Sequence, residues 1–269
     1  MTPSTAVSSS SPAAQPLPEP LVEAASKNDV IWPPSDLYSD EPPLETTLHL
    51  QQMVLLLKCL HWFWKDRVDY FAAGNLTVYY SPHKRKDEDF RGPDFFVALE
   101  TKPHPRKSWM VWEEDGKYPN VIVELLSDST AETDRTFKKQ LYAKTFRTPE
   151  YFWFDPDPES LEFQGFALVR GQYQPIEPNE AGFLWSEQLQ LYLGIHETQL
   201  RFFEADGSLV PTPDEAAIVA EAAAAEAEAA ATAAEAAAAE AEAALNSEQQ
   251  RAEKLASKLR ELGLDPDTL

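Results

Sequence analysis

The sequence predicts an α/β layered domain followed by one long helix, and three observations carry that reading. From about residue 45 to residue 210, short β-branched and aromatic runs alternate with two helical stretches. One of the runs, "VIVELL", places a charged residue, Glu124, where a buried strand should be wholly apolar. From Pro213 onward the composition changes to little besides Ala and Glu.

The elements follow in chain order. Residues 1–44 are rich in Ser, Pro and Ala. So few apolar side chains cannot offset the entropy of ordering, so a disordered arm is expected, with Trp32 and Tyr38 placed to dock on the domain. "ETTLHLQQMVLLLKCLHWFWKDR" has apolar residues on most faces and no Gly or Pro, which predicts a buried helix. "NLTVYYSP", "DFFVALET" and "NVIVELLS" are each bounded by turn residues and predict three strands. "STAETDRTFKKQLYAKTFR" opens with a capping-box pattern, Ser129 to Glu132. It sets Phe137, Leu141 and Phe146 along one stripe and is stopped by Pro149. "EYFWFDP" predicts a further strand, "LEFQGFALVRGQYQPIEP" a hairpin, and "LQLYLGI" and "TQLRFFEAD" two more strands. The order is helix, three strands, helix, strand, then a β-rich extension, a domain of about 165 residues.

The tail is a separate unit. "EAAAAEAEAA" begins at Glu221 and again at Glu235, so Glu221, Glu228, Glu235 and Glu242 fall at heptad spacing. Ala has the highest helix propensity, and a helix or coiled coil over 213–263, roughly 75 Å long, is expected before the C-terminal end at 264–269. Leu255, Leu259 and Leu262 form an apolar stripe near its end. A solvated spacer and a surface for self-association or docking are both open readings.

Composition narrows the function classes. The net charge is -22, and from Asp214 onward thirteen acids face four bases. Phosphate contacts need Lys and Arg, so such a chain does not look like a bulk nucleic-acid binder. Cys59 is the single cysteine, which excludes an internal disulfide and a multi-cysteine metal cluster and fits a reducing compartment. The first twenty residues lack a basic and an apolar region of the kind a signal peptide needs, and no apolar run is long enough to span a membrane. A soluble cytoplasmic protein is expected.

Two carboxylates sit at strand positions: Asp94, after "RGP", and Glu124, on the same strand face as Ile122. On adjacent strands they would lie close enough to share a divalent cation, and Mg²⁺ takes one or two carboxylates plus water and phosphate. Lys138, one turn after Asp134 in the second helix, would reach the same spot if that helix packs over the strand end. Each also has a plainer reading. Asp94 follows Gly-Pro as turn residues do, Asp134 and Lys138 have the spacing of a surface ion pair, and Glu124 would be satisfied by Lys138 or an Arg alone.

At these residues the chain resembles a known family. "GPDFFVALE", "VIVELLSDST", "DRTFKKQLYA" and "TPEYFWFDP" look like the Uma-two family of restriction endonucleases, within the PD-(D/E)XK nuclease superfamily. The resemblance runs from about Glu45 to Gly207, and the Ala/Glu tail is similar to extensions found on members. It implies a restriction-endonuclease-like mixed sheet core, α-β-β-β-α-β. Asp94 would supply the first acid and Glu124 the second. The position two residues after the glutamate, lysine in the superfamily, is Leu126 here, so the resemblance assigns the lysine to Lys138 in the following helix, with Lys139 as the neighbour to test next. "SPST" is replaced by "SDST", with Asp128 in place of Pro. Glu45 matches a place where an extra acid sometimes stands, and Asp134 is a further candidate.

The implied activity is Mg²⁺- or Mn²⁺-dependent hydrolysis of phosphodiesters in nucleic acid, DNA foremost. Asp94 and Glu124 would hold the metal, and Lys138 would orient water or stabilise charge on the phosphate. Basic residues at "HKRK" (83–86), Arg91, Arg106, Lys107, Lys138, Lys139, Lys144 and Arg147 would give a local positive groove despite the net charge. A homodimer, formed through the C-terminal helix, would supply two sites for double-strand cutting. The alternative is a catalytically inactive nuclease-fold protein that uses the long helix to bind partners.

Overall fold

The computed structural model describes residues 46–80, 90–127 and 129–263. The Ser/Pro-rich arm with Trp32, Tyr38 and Glu45, the "HKRK" run and Asp128 lie outside the described residues. A first helix (Thr47–Phe63) leads to β1 (Tyr70–Gly74), β2 (Val78–Tyr79), β3 (Phe90–Arg91), β4 (Phe95–Leu99), β5 (Trp109–Met110) and β6 (Val121–Leu125). A composite helix running from Ala131 to Phe146 follows, then β7 (Glu150–Asp155), β8 (Glu162–Val169) and β9 (Gln172–Pro175). β10 (Leu184–Ser186), β11 (Leu191–His196) and β12 (Gln199–Phe203) precede a C-terminal helix (Pro213–Glu261).

Six strands form the main sheet in the order β1-β4-β6-β7-β8-β9. β6 and β7 are parallel, and the other neighbours are antiparallel. A parallel pair needs a crossover, which the composite helix supplies. The expected α-β-β-β-α-β succession is therefore present as first helix, β1, β4, β6, composite helix and β7. The fold is mixed α/β with a β-rich extension and a long C-terminal helix.

β4 and β6 are buried along almost their whole length because both faces of the sheet are covered. On one face, Phe95, Val97, Val121, Val123, Phe152 and Phe154 pack against Leu56 and Leu60 of the first helix and against Leu191, Leu193 and Phe202 of the β10–β12 sheet. The Gln52 side chain ties helix to sheet, donating to the Leu200 carbonyl at 2.8 Å and accepting from its N–H at 3.0 Å. On the other face, Phe96, Ile122, Tyr151 and Trp153 pack against Tyr142 and Phe146 of the composite helix and against Trp109. Glu124 belongs to this second face.

Several expectations need correction. The first strand of the core is β1, "YFAAG", and "NLTVYYSP" contributes only β2, in a small sheet with β3 and β5. Small residues hide β1 from a propensity reading, yet the packing requires the last of them: a Cβ at Gly74 would stand 2.2 Å from Met53 Sδ. The first helix is buried along a stripe, His49, Gln52, Met53, Leu56, Cys59 and Leu60, while Leu48, Leu50, Val54 and Trp62 remain exposed. The Ser129–Glu132 capping box does not form. Thr130 stands at the N-cap with no side-chain cap bond, and its N–H is taken by the Ser127 hydroxyl at 3.3 Å.

The C-terminal helix begins with a capping box between Thr212 and Glu215, with Pro213 in its first turn. Glu215 also pairs bidentately with the buried Arg201, at 3.0 and 2.7 Å, which fastens the base of the helix to β12. None of its residues is buried. No helix among the described residues is long and apolar enough to cross a membrane.

Gly165 of β8 faces Phe152 across the β7–β8 register. A Cβ there would stand 2.5 Å from two carbons of the Phe152 ring and 2.9 Å from Leu184 Cδ1, with Phe152 fully buried. Gly165→Ala is expected to destabilise the protein by about 1–3 kcal/mol in urea unfolding. A change within about 0.5 kcal/mol would show that the ring relaxes freely and refute this account of the packing.

Candidate active site

The register of the central strands sets up the site. Phe95 lies opposite Val123, so one residue earlier Asp94 lies opposite Glu124. The Asp94 N–H donates to Glu124 Oε2 at 3.3 Å, and Asp94 Oδ2 accepts the Leu125 N–H at 2.8 Å. The backbone of β6 thus fixes the Asp94 side chain.

The third component comes from the composite helix, which alternates α-helical turns (Ala131–Thr133, Lys139–Leu141) with π-helical stretches (Asp134–Lys138, Tyr142–Phe146). An α turn takes 3.6 residues and a π turn is wider, so mixing them brings residues four apart closer to one line. Asp134, Lys138 and Tyr142 have that spacing, and all three meet the same carboxylate cluster. Lys138 Nζ lies 3.1 Å from Glu124 Oε2 and 2.6 Å from Asp134 Oδ1. Tyr142 Oη donates to Glu124 Oε1 at 2.6 Å, and Tyr151 Oη donates to the Asp134 carbonyl at 3.0 Å. The same winding turns Phe137 outward, so the expected Phe137–Leu141–Phe146 stripe is broken. Phe137 is half exposed beneath the Arg91 guanidinium, 5.0 Å from its ring centre.

Three carboxylates share one ammonium. Glu124 and Asp134 are fully buried. Burial pushes Glu124 up to about 7, against the pull of Lys138 and with a further push from Asp94. Asp134 rises to about 6, through burial and then Glu124. Asp94 is also raised by burial, with Lys138 opposing. Burial works against the Lys138 ammonium, but the Glu124, Asp134 and Asp94 charges outweigh it and hold its pKa above the ordinary value.

Of the candidate residues, Asp94, Glu124, Lys138 and Asp134 come together. Lys139 points elsewhere, with its ammonium 3.3 Å from the centre of the Phe166 ring and 5.0 Å from that of Trp153. Glu45 lies outside the described residues. The expected basic groove is reduced in its described part, because Arg106 is ion-paired with Glu114 and stacked on Phe71 and Trp109. Tyr142 was missed as a member of the site, though its place four residues after Lys138 was a usable signal. A further buried acid, Glu150, is separate from the cluster. Ser186 Oγ and the N–H groups of Glu187 and Gln188 donate to it, so it fastens the loop after β10.

Two outcomes test this arrangement. Lys138→Met leaves two buried carboxylates without their counter-ion and should cost about 3–5 kcal/mol in denaturant unfolding. The pH dependence follows from the raised acids. The folded state holds its protons more tightly than the unfolded chain, so unfolding releases protons and stability falls as pH rises from about 4 to about 7. Glu124→Gln should flatten that fall in a thermal-melt series, and an unchanged profile would remove Glu124 from the titrating cluster.

A model of the Uma2 family, described as "Putative restriction endonuclease", matches residues 37–199. No curated protein matches the chain. Among solved structures, a "putative nuclease belonging to DUF820" from Anabaena variabilis ATCC 29413 is similar at 13% identity, with 55% of this chain and 76% of that chain covered and a TM-score of 0.39. The family match covers more than half of the chain and includes the segment that carries Asp94, Glu124 and Lys138, and the chain accordingly belongs to the Uma2 family.

Proposed function

We propose that the chain is a metal-dependent endonuclease of the PD-(D/E)XK type that hydrolyses phosphodiester bonds of nucleic acid, DNA foremost. One observation carries this reading. Asp94 just before β4, Glu124 from β6 and Lys138 from the composite helix converge on one cluster from three separate parts of the chain. A surface ion pair needs only the helix, and a core needs none of them.

The cluster suits a hard divalent cation. Buried carboxylates outnumber the one ammonium and are pushed toward protonation, so positive charge is in short supply. Among the described residues no three His, Cys, Asp or Glu side chains are grouped to hold a metal. The protein would therefore offer two carboxylates, Asp94 and Glu124, and leave the remaining positions to water and phosphate, as Mg²⁺ and Mn²⁺ accept. Bound there, the ion would acidify a water molecule and neutralise charge on the phosphate. Lys138 orients the attacking water or stabilises the extra negative charge on the phosphate. Tyr142 holds Glu124 Oε1 by its hydrogen bond and so fixes the direction of the second acid.

A second reading has its own support. Both Glu124 oxygens are already taken, by Tyr142 on one side and by Lys138 with the Asp94 N–H on the other. A buried glutamate whose two oxygens are both satisfied from within the protein also suits a non-catalytic protein that binds partners through its exposed C-terminal helix. Calorimetric titration with Mg²⁺ separates the two. The nuclease reading expects binding that Glu124→Gln abolishes. It also expects affinity to rise with pH up to about 7, since the metal must displace the Glu124 proton. It expects plasmid and oligonucleotide cleavage in Mg²⁺ or Mn²⁺ that Asp94→Ala eliminates. Intact substrates, or cleavage by Asp94→Ala at the original rate, would refute it.

A further inference from the structure

The composite helix carries a second row of charge that the acid cluster does not use. Arg135, Lys139 and Lys144 line a cleft of about 580 Å³ together with Gln140 of the helix and Gln172 and Tyr173 of β9. No carboxylate lines it, in a chain whose net charge is -22. We propose that this cleft is a track for the sugar–phosphate backbone of nucleic acid, with Arg135, Lys139 and Lys144 as its phosphate contacts.

Each cation retains donors. Lys144 Nζ gives one hydrogen bond to the Gly171 carbonyl at 2.9 Å, and an ammonium has three donors. Lys139 is held over the Phe166 and Trp153 rings, which attract the cation without neutralising its charge. Among the described residues neither lysine pairs with a carboxylate. Arg135 Nη2 meets Glu162 at 2.5 Å, so its guanidinium already reaches one oxyanion and has other N–H groups to offer.

The spread of the charges selects the ligand. Arg135, Lys139 and Lys144 are spread along about two turns of the composite helix rather than gathered at one point. A mononucleotide would call for one focused pocket, whereas a polyanion is held by charges strung along a line. Gln140, Gln172 and the Tyr173 ring add polar and flat surface of the kind that positions a backbone without reading sequence. Lys139 directly follows Lys138, so a strand in the cleft lies one residue round the helix from the acid cluster. The inference rests on the nuclease reading for its choice of substrate but concerns different residues.

The experiment is fluorescence anisotropy of the full chain with a labelled duplex, in EDTA, over a series of salt concentrations. The slope of log affinity against log salt reports the number of phosphates neutralised, about 0.9 per contact. Lys139→Gln/Lys144→Gln should lower the magnitude of that slope by about two and weaken binding at least tenfold at low salt, while Lys139→Arg/Lys144→Arg restores both. Lys254→Gln/Lys258→Gln, on the C-terminal helix, should leave the slope unchanged. A wild-type slope in the Lys139/Lys144 glutamine variant, or no duplex binding by the wild-type chain at low salt, would overturn the proposal. The nuclease reading is judged separately: a chain that binds through the cleft yet never cuts in Mg²⁺ keeps the track and loses the activity.

Discussion

The ion pair between Lys138 and Glu124 is the constraint on which the surrounding structure depends. A carboxylate in the centre of a doubly covered sheet is costly unless something of opposite charge reaches it with good geometry. Among the described residues the composite helix supplies that charge through Lys138, so the helix must lie over the end of β6 in one rotation. The antiparallel register of β4 and β6 then brings Asp94 to the same point. A shift of one residue in that register would send Asp94 to the opposite face and leave Glu124 without the Asp94 N–H. Charge pairing and strand register therefore select the same arrangement.

The π-helical winding belongs to the same constraint. Three side chains at spacing four must face the sheet, and an ordinary α-helix would carry them progressively off to one side. Wider turns offset that drift. The cost is visible at Phe137, a large apolar residue left half exposed, with the Arg91 guanidinium as partial cover. A sequence tuned only for stability would place a polar residue there. Retaining the phenylalanine and the wide turns makes sense if the alignment of Asp134, Lys138 and Tyr142 matters more than a well-packed helix surface.

Much of this was legible in the sequence, for identifiable reasons. β6, β7 and the β8–β9 hairpin announce themselves because aromatic and β-branched runs bounded by turn residues leave few alternatives, and a glutamate inside such a run marks itself. Lys138 was legible through its spacing from Asp134 and through family resemblance. β1 was not, because the Ala-Ala-Gly end of "YFAAG" is weak in strand propensity and the segment owes its conformation to pairing with β4 and to Met53 packing on Gly74. The helix start departs from the capping-box rule because the helix begins one residue later, with Thr130 at the N-cap and its N–H bonded to the Ser127 hydroxyl. Tyr142 escaped notice because a tyrosine among aromatic neighbours looks like core. Its hydroxyl acquires a role only once Glu124 lies 2.6 Å away.

The acidity of the chain looked like an argument against a nucleic-acid substrate, but net charge is a property of the whole chain and binding depends on the local field. From Asp214 onward thirteen acids face four bases, and eleven of these acids lie on a helix that, among the described residues, is fastened to the domain at its base, through Arg201 with Glu215 and Lys58 with Asp214. Glu221 already stands about 10 Å along that helix from its anchor, and Glu242 about 40 Å, at roughly 1.5 Å per residue. Exposed charges are screened over about 8 Å at physiological salt, so most of that acidity does not reach the domain. What a phosphate meets at the composite helix is decided by the few groups beside it: Lys138 among its acids, and Arg135, Lys139 and Lys144 with one carboxylate between them. An Ala-rich helix without compensating lysines can thus carry a large negative charge while leaving the local field at Glu124 little changed.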